Sequence, residues 1–170
     1  HGAVEPFFGV KVGDMKAIVK QVKQNHALAM ELYDSGNSDA MYLAGLISVP
    51  KEMSEKDLQH WMKNAKWCMH SEYTIAWTAA ESNYARELAM EWIASDKELV
   101  ATAGWATYAS YIQITPNAEL DSKEIQALLK QIEKGVAKAP NRVRYAMNSF
   151  LIIAGSQLES LHPLSLQIAS

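Results

Sequence analysis

Apolar residues along the chain recur at three- and four-residue spacings, and no stretch alternates apolar with polar positions as a half-buried strand would. The punctuation between these runs predicts a succession of amphipathic helices. Asp14 is the expected cap of a first helix through Val22. Asn25 caps a second, in which Leu28, Leu32 and Tyr33 share a face before Gly36 stops it. Ser38 opens a third with Met41, Leu43, Ala44 and Ile47, ended by Pro50. Ser54 with Asp57 reads as a variant capping box for a fourth that carries Leu58, Trp61, Met62 and Ala65. Further helices are expected over about 71–81, 83–94 and 96–112, with Pro116 in the one long connection. Asp121 starts the cleanest pattern, Ile125, Leu128, Leu129, Ile132 and Val136 on one face with Pro140 closing it, and Asn141 caps a ninth helix.

Short connections between helices of this length favour antiparallel neighbours, so the expected fold class is all-α, either a solenoid of stacked helix pairs or a bundle. The length of 170 residues suits one domain spanning 1–170, large enough to bury roughly two-thirds of its unfolded surface. The chain begins at His1, and its last residues, LHPLSLQIAS, read as the opening of another helix, so truncation at one or both ends is expected. The lone Cys68 excludes an internal disulfide framework and suits a reducing, cytoplasmic setting. No apolar run approaches the ~20 residues that cross a bilayer, and no signal sequence opens the chain, so no membrane partner is expected.

Charge and motif content narrow the chemistry. Sixteen Lys and Arg against 19 Asp and Glu leave a formal charge of −3, which excludes a protein that holds duplex DNA by bulk charge; any such role must rest on a local patch. There is no phosphate loop, zinc pattern or nucleophile elbow. His26, His60, His70 and His162 do not cluster at ligand spacing, and Cys68 reads as a small buried thiol, so neither a metal nor a cofactor is expected.

Two segments carry more specific information. FFGVKVGDMKAIVKQV resembles the opening of the bacterial DNA alkylation repair superfamily, and NRVRYAMNSFLIIAG resembles a later repeat of it. Between them ALAMELYDSGNSDAMYLAGLI, DLQHWMKNAKWCMHSEYTIAWTAAES and ELVATAGWATYASY follow in the order of its helical pairs. The resemblance implies a HEAT-like α-α superhelix that curves around DNA. It also implies a test of activity. The superfamily's alkylpurine glycosylases place a tryptophan and an aspartate one turn apart, then an arginine, then a second aromatic and arginine. Here Trp67 is followed by Ser71, with Glu72 one place too far; Thr102 stands for the first arginine, and Ser149 and Ile152 stand for the later pair. The glycosylase constellation is not recognisable.

Glycosylase chemistry on an alkylated purine needs an acid to stabilise the developing oxocarbenium ion and an aromatic surface for the lesion. Glu72 and Glu81 are the candidate acids, the latter ending a polar stripe of Ser71, Thr74 and Thr78 opposite Tyr73, Ala76, Trp77 and Ala80. That stripe is either a solvated helix face or a groove wall. Trp61, Trp77 and Trp92 read as packing residues, and Trp105, Tyr108 and Tyr111 as an aromatic ladder or as close helix packing beside Gly104. For DNA the candidates are Lys63, Lys66 and Trp67 near one helix junction, and Arg142, Arg144, Tyr145 and Asn148 in the ninth helix, where Arg142 in the first turn opposes the macrodipole. The lysine stripes Lys123, Lys130, Lys134, Lys138 and Lys16, Lys20, Lys23 read as solvated faces. The leading expectation is a DNA-binding member of the superfamily, for damaged or branched DNA, without the glycosylase residues. The alternatives are a glycosylase with a displaced carboxylate and a solenoid that binds a protein partner.

Overall fold

Helices form wherever this sequence supplies a cap and an apolar face. The computed structural model describes residues 2–170, which contain ten α-helices and no strand. They are α1 (Val12–Val22), α2 (His26–Asp34), α3 (Ser38–Ile47), α4 (Glu55–Asn64), α5 (Ala76–Glu81), α6 (Ala85–Ile93), α7 (Glu98–Ile114), α8 (Ser122–Gly135), α9 (Asn141–Gln157) and α10 (His162–Ala169). Asn25 accepts the Leu28 N–H at 3.1 Å, Asp121 accepts those of Lys123 and Glu124, and Ser54 and Asp57 form the reciprocal capping box.

Three starts differ from the sequence reading. Helix α1 begins at Val12, with Lys11 in the cap position and Asp14 in the first turn, where its charge still complements the dipole. Asn37, one residue before Ser38, caps α3 through the N–H groups of Asp39 and Ala40. Asn141 lies inside α9, whose cap position is Pro140; the free Arg142 N–H is satisfied from outside, by the Glu98 carboxylate of α7 at 3.0 Å. The expected helix over 71–81 is divided: His70–Ile75 is π-helical and continues into α5. The closing LHPLSLQIAS does form a helix, α10.

The second helices of successive pairs stack side by side: α3 against the π-helical turn, that turn and α5 against α7, and α7 against α9. Their entry ends lie along one edge, since Ser38 of α3 meets His70 of the π turn and Glu98 of α7 meets Arg142 of α9. The first helices α2 and α6 back their partners, and α10 packs on α9 and α8.

Two hydrophobic clusters fill the interior. One gathers Tyr33, Met41, Ile47, Leu58, Trp61, Ile75, Trp92 and Ala103. The other gathers Ala89, Trp105, Tyr108, Ile125, Leu129 and Phe150. Tyr33 stacks on Trp61 with ring centroids 4.3 Å apart and gives its hydroxyl proton to the Trp61 carbonyl. The ladder residues Trp105 and Tyr108 are buried, each edge-on to Phe150 at 5.2 and 5.7 Å, so they belong to the core. Trp61 and Trp92 are core residues as their patterns predict, whereas Trp77 is 45% exposed. Among the described residues no helix is long and apolar enough to cross a membrane.

Candidate nucleic-acid interface

The π-helical turn is the part of the stack that brings chemistry to the surface. Fully buried His70 donates from Nε2 to the Ser38 carbonyl at 3.0 Å, which fixes the turn against the start of α3. Burial holds the imidazole below its ordinary pKa, which favours the neutral ring. Two residues on, the Glu72 carboxylate is also buried, a position a charge occupies only with a partner. That partner is Arg142: Nε donates to Oε1 at 2.5 Å and Nη2 donates to Oε2, a two-pronged pair. The hydrogen bonds and charge of Glu72 in turn raise the guanidinium above its usual value. Arg142 also lies over the Tyr145 ring, 4.7 Å from its centroid. The unfavourable place of Arg142 in the first turn of α9 is therefore offset by a carboxylate and an aromatic face.

Beside this pair runs a cavity of about 210 Å³ between the π turn with α5, α7 and α9. Tyr73 and Trp77 form one wall, edge-to-face at 5.0 Å, and Tyr145, 53% exposed, forms the other. Ala106, Ala109 and Ala146 make an apolar floor, and Ser110, Gln113 and Ser149 add hydrogen-bonding groups. Burial, followed by the neighbouring Tyr145 and Glu72, raises the Tyr73 phenol, which stays a proton donor. The groove offers flat aromatic faces and neutral polar groups, and its one carboxylate is engaged by Arg142.

The structure thus brings Glu72, Arg142 and Tyr145 together. Arg144 and Asn148 are exposed on α9 within one turn of Tyr145, and the Arg144 guanidinium has no hydrogen bond or ion pair among the described residues. Glu81 lies apart, at the far end of α5 in a cleft with Lys51, Tyr111 and Glu119. Lys66 is exposed and donates to the Gly36 carbonyl at 2.9 Å. Trp67 is half-buried, edge-on to His70. Lys63 lies on another surface, in a cleft between α4 and α6 with Glu91 and Asp96.

The polar stripe is reversed from both sequence readings. Ser71, Thr74 and Thr78 are buried, and Tyr73 and Trp77 line the groove. Small hydroxyl residues pack there because α3 approaches closely: a Cβ on Gly45 would lie 2.8 Å from Thr74 Cγ2. Thr78 returns its hydroxyl to the Thr74 carbonyl at 2.7 Å, so it enters the interior with its proton satisfied. Trp77 and Tyr73, read as the apolar side, were the missed groove residues; their spacing of four was the available signal.

At the positions aligned with the glycosylases' acid and first arginine, Ser71 and Thr102 are fully buried, and at those of the later aromatic and arginine Ser149 lines the groove and Ile152 is exposed. Among the described residues no three His, Cys, Asp or Glu side chains are grouped to hold a metal ion.

Comparison with known proteins agrees over nearly the whole chain. A family model described as DNA alkylation repair enzyme matches residues 1–162. The uncharacterized proteins Lin0241 of Listeria innocua and Lmo0209 of Listeria monocytogenes are each 31% identical over 175 aligned positions, covering 99% of this chain and 75% of the relative. A solved structure, described as a new family of proteins related to the HEAT-like repeat DNA glycosylases with affinity for branched DNA structures, superposes with a TM-score of 0.93 at 41% identity. The match covers 99% of this chain and 72% of that one. The fold is the HEAT-like superhelix that the sequence resemblance implied, and the chain belongs to the DNA alkylation repair family.

Proposed function

We propose that this protein binds branched or damaged DNA in the cytoplasm without releasing a base, using the groove between α5, α7 and α9. The observation that carries this reading is the likeness, over 99% of the chain, to a structure whose family is described by its affinity for branched DNA. The groove suits such a ligand. Tyr73, Trp77 and Tyr145 offer faces on which exposed bases stack, and Arg144 and Asn148 stand beside them for phosphate. Lys66 and Trp67 belong to the same surface in this reading, at the entry edge of the stack. Lys63, among acids on another face, contributes to binding least.

A second reading has one observation in its favour: Glu72 sits in the wall of an aromatic groove, as a displaced catalytic acid would. Against it, both carboxylate oxygens already accept from Arg142, and the charge that would meet an oxocarbenium ion is spent on a guanidinium.

The test is a paired assay on the intact protein: affinity for a four-way junction and for a linear duplex of equal length across salt concentrations, and free-base release from methylated DNA. Tighter junction binding that falls steeply with salt, with no base released, is the expected result. Base release abolished by Glu72→Gln would establish the glycosylase instead. Neither binding nor release would overturn both readings and turn attention to a protein partner.

A further inference from the structure

Ahead of α1, residues 2–11 form a strap across the start of α3, anchored more densely than an exposed segment requires. Ser38 donates its hydroxyl to the Val4 carbonyl at 2.6 Å and its N–H to the Pro6 carbonyl at 2.8 Å. One oxygen of Asp39 accepts three successive main-chain N–H groups, from Phe8 at 2.6 Å, Gly9 at 2.8 Å and Val10 at 3.4 Å. Gly9 turns with a φ of +78°, a conformation that side-chain-bearing residues rarely adopt.

The main chain is thereby fixed while the side chains face outward. Phe8 is 80% exposed, and Phe7, Val10 and Val12 beside it are exposed as well. An aromatic ring held in water on a pinned loop is a presented surface, not a frayed end. Its electrical setting is the reverse of the whole protein's. Lys11, Lys16, Lys20 and Lys23 are all exposed, and Glu5 and Asp14 are the only acids in residues 2–23, in a chain whose formal charge is −3. A partner for this patch must carry regular negative charge and a flat apolar face, which is the chemistry of a nucleic acid with an unstacked base.

We propose that Phe8 is a stacking wedge that takes the unstacked base at a DNA branch point, while the lysines of α1 hold the phosphates of the adjoining arm. The inference rests on the DNA-binding reading above and assigns a second contact to it. The strap shares the Ser38 end of α3 with the π turn that carries Glu72 and Tyr73, since His70 bonds the Ser38 carbonyl. The wedge and the aromatic groove therefore lie on neighbouring elements of the stack. A branched molecule fills both, and a linear duplex offers no open base to the wedge.

The experiment compares the intact protein with Phe8→Ala and Phe8→Tyr on a four-way junction carrying 2-aminopurine at the branch, on a linear duplex, and on vesicles of phosphatidylglycerol and phosphatidylcholine. The expected result is about tenfold weaker junction binding for Phe8→Ala with duplex affinity unchanged within about twofold, retention by Phe8→Tyr, and a 2-aminopurine signal altered only by the proteins that keep a ring. Unchanged junction affinity in Phe8→Ala, or an equal loss on the duplex, overturns the wedge and leaves the proposed function standing. Loss confined to vesicle binding overturns it in favour of a membrane-facing patch. Failure of the unaltered protein to bind any DNA overturns the underlying reading as well.

Discussion

Arg142 at the start of α9 and Glu72 in the π-helical turn are 70 residues apart in the chain, and they meet through both nitrogens and both oxygens that such a pair can join. This contact ties the groove's two long walls together. Removing one partner of a buried pair strands the other charge, at a cost of about 3–5 kcal/mol in a dry site. The Glu72 side chain is 4% exposed but that of Arg142 is 35% exposed, so screening reduces the expected loss for Arg142→Met to about 2 kcal/mol. Glu72→Gln should cost less, because the amide is neutral. Urea unfolding midpoints of the two single variants and the double variant would measure the coupling, and additive losses would show that the pair does not act as a unit.

The groove aromatics should separate binding from stability. Trp77→Ala and Tyr145→Ala remove half-exposed rings, so each is expected to lower stability by no more than about 1 kcal/mol. Each should weaken junction binding about fivefold or more. Arg144→Gln is expected to act differently, flattening the dependence of log affinity on log salt by about 0.9 if its guanidinium meets one phosphate. A titration series at several salt concentrations checks both statements.

Gly104 has the least room for a side chain of any glycine in the chain. A Cβ there would lie 2.4 Å from the Ile93 nitrogen and 2.8 Å from the Trp92 carbonyl carbon, main-chain atoms that no rotamer change can move. Gly104→Ala should therefore destabilise by about 3 kcal/mol despite the better helix propensity of alanine. Thermal unfolding reads this directly, and an unchanged midpoint would mean that α6 and α7 separate without penalty.

His70 gives a signed pH dependence. Its folded pKa lies below the ordinary histidine value of 6.5 because burial disfavours the cation, with Lys66 adding to the shift and the Ser38 carbonyl and Asp39 opposing it. Below pH 6.5 the unfolded chain binds a proton that the folded chain refuses, so stability falls as pH drops and levels once the folded pKa is passed. His70→Gln keeps a donor for Ser38 and should flatten that part of the curve when melting is followed from pH 7 to pH 5.

The helices were legible where local chemistry decides them. Asn25, Ser54 and Asp121 cap as their side chains allow, and the periodic face of α8 is buried at Ile125, Leu128, Leu129 and Ile132. The start of α9 was not legible, because its free N–H is answered by Glu98, a residue of another helix. The groove was half legible. Arg142 drew attention by its bad position against the dipole, and Glu72 by its charge, but their contact depends on how α9 lies against the π turn. The sidedness of Ser71, Thr74 and Thr78 was hidden for a related reason: a hydroxyl on a small side chain is polar to a pattern and compact to a neighbouring helix.

Ala103 and Trp105, two positions apart on α7, close two different hydrophobic clusters, and α6 divides itself likewise between Trp92 and Ala89. The solenoid consequently has no seam. Cutting the chain before α7 leaves the amino-terminal portion with an open wall, and cutting after it leaves the carboxy-terminal portion without the helix on which α9 rests. The two ends of the molecule are not separable modules that happen to touch; they share a single partition, and neither interior is finished unless that partition is present.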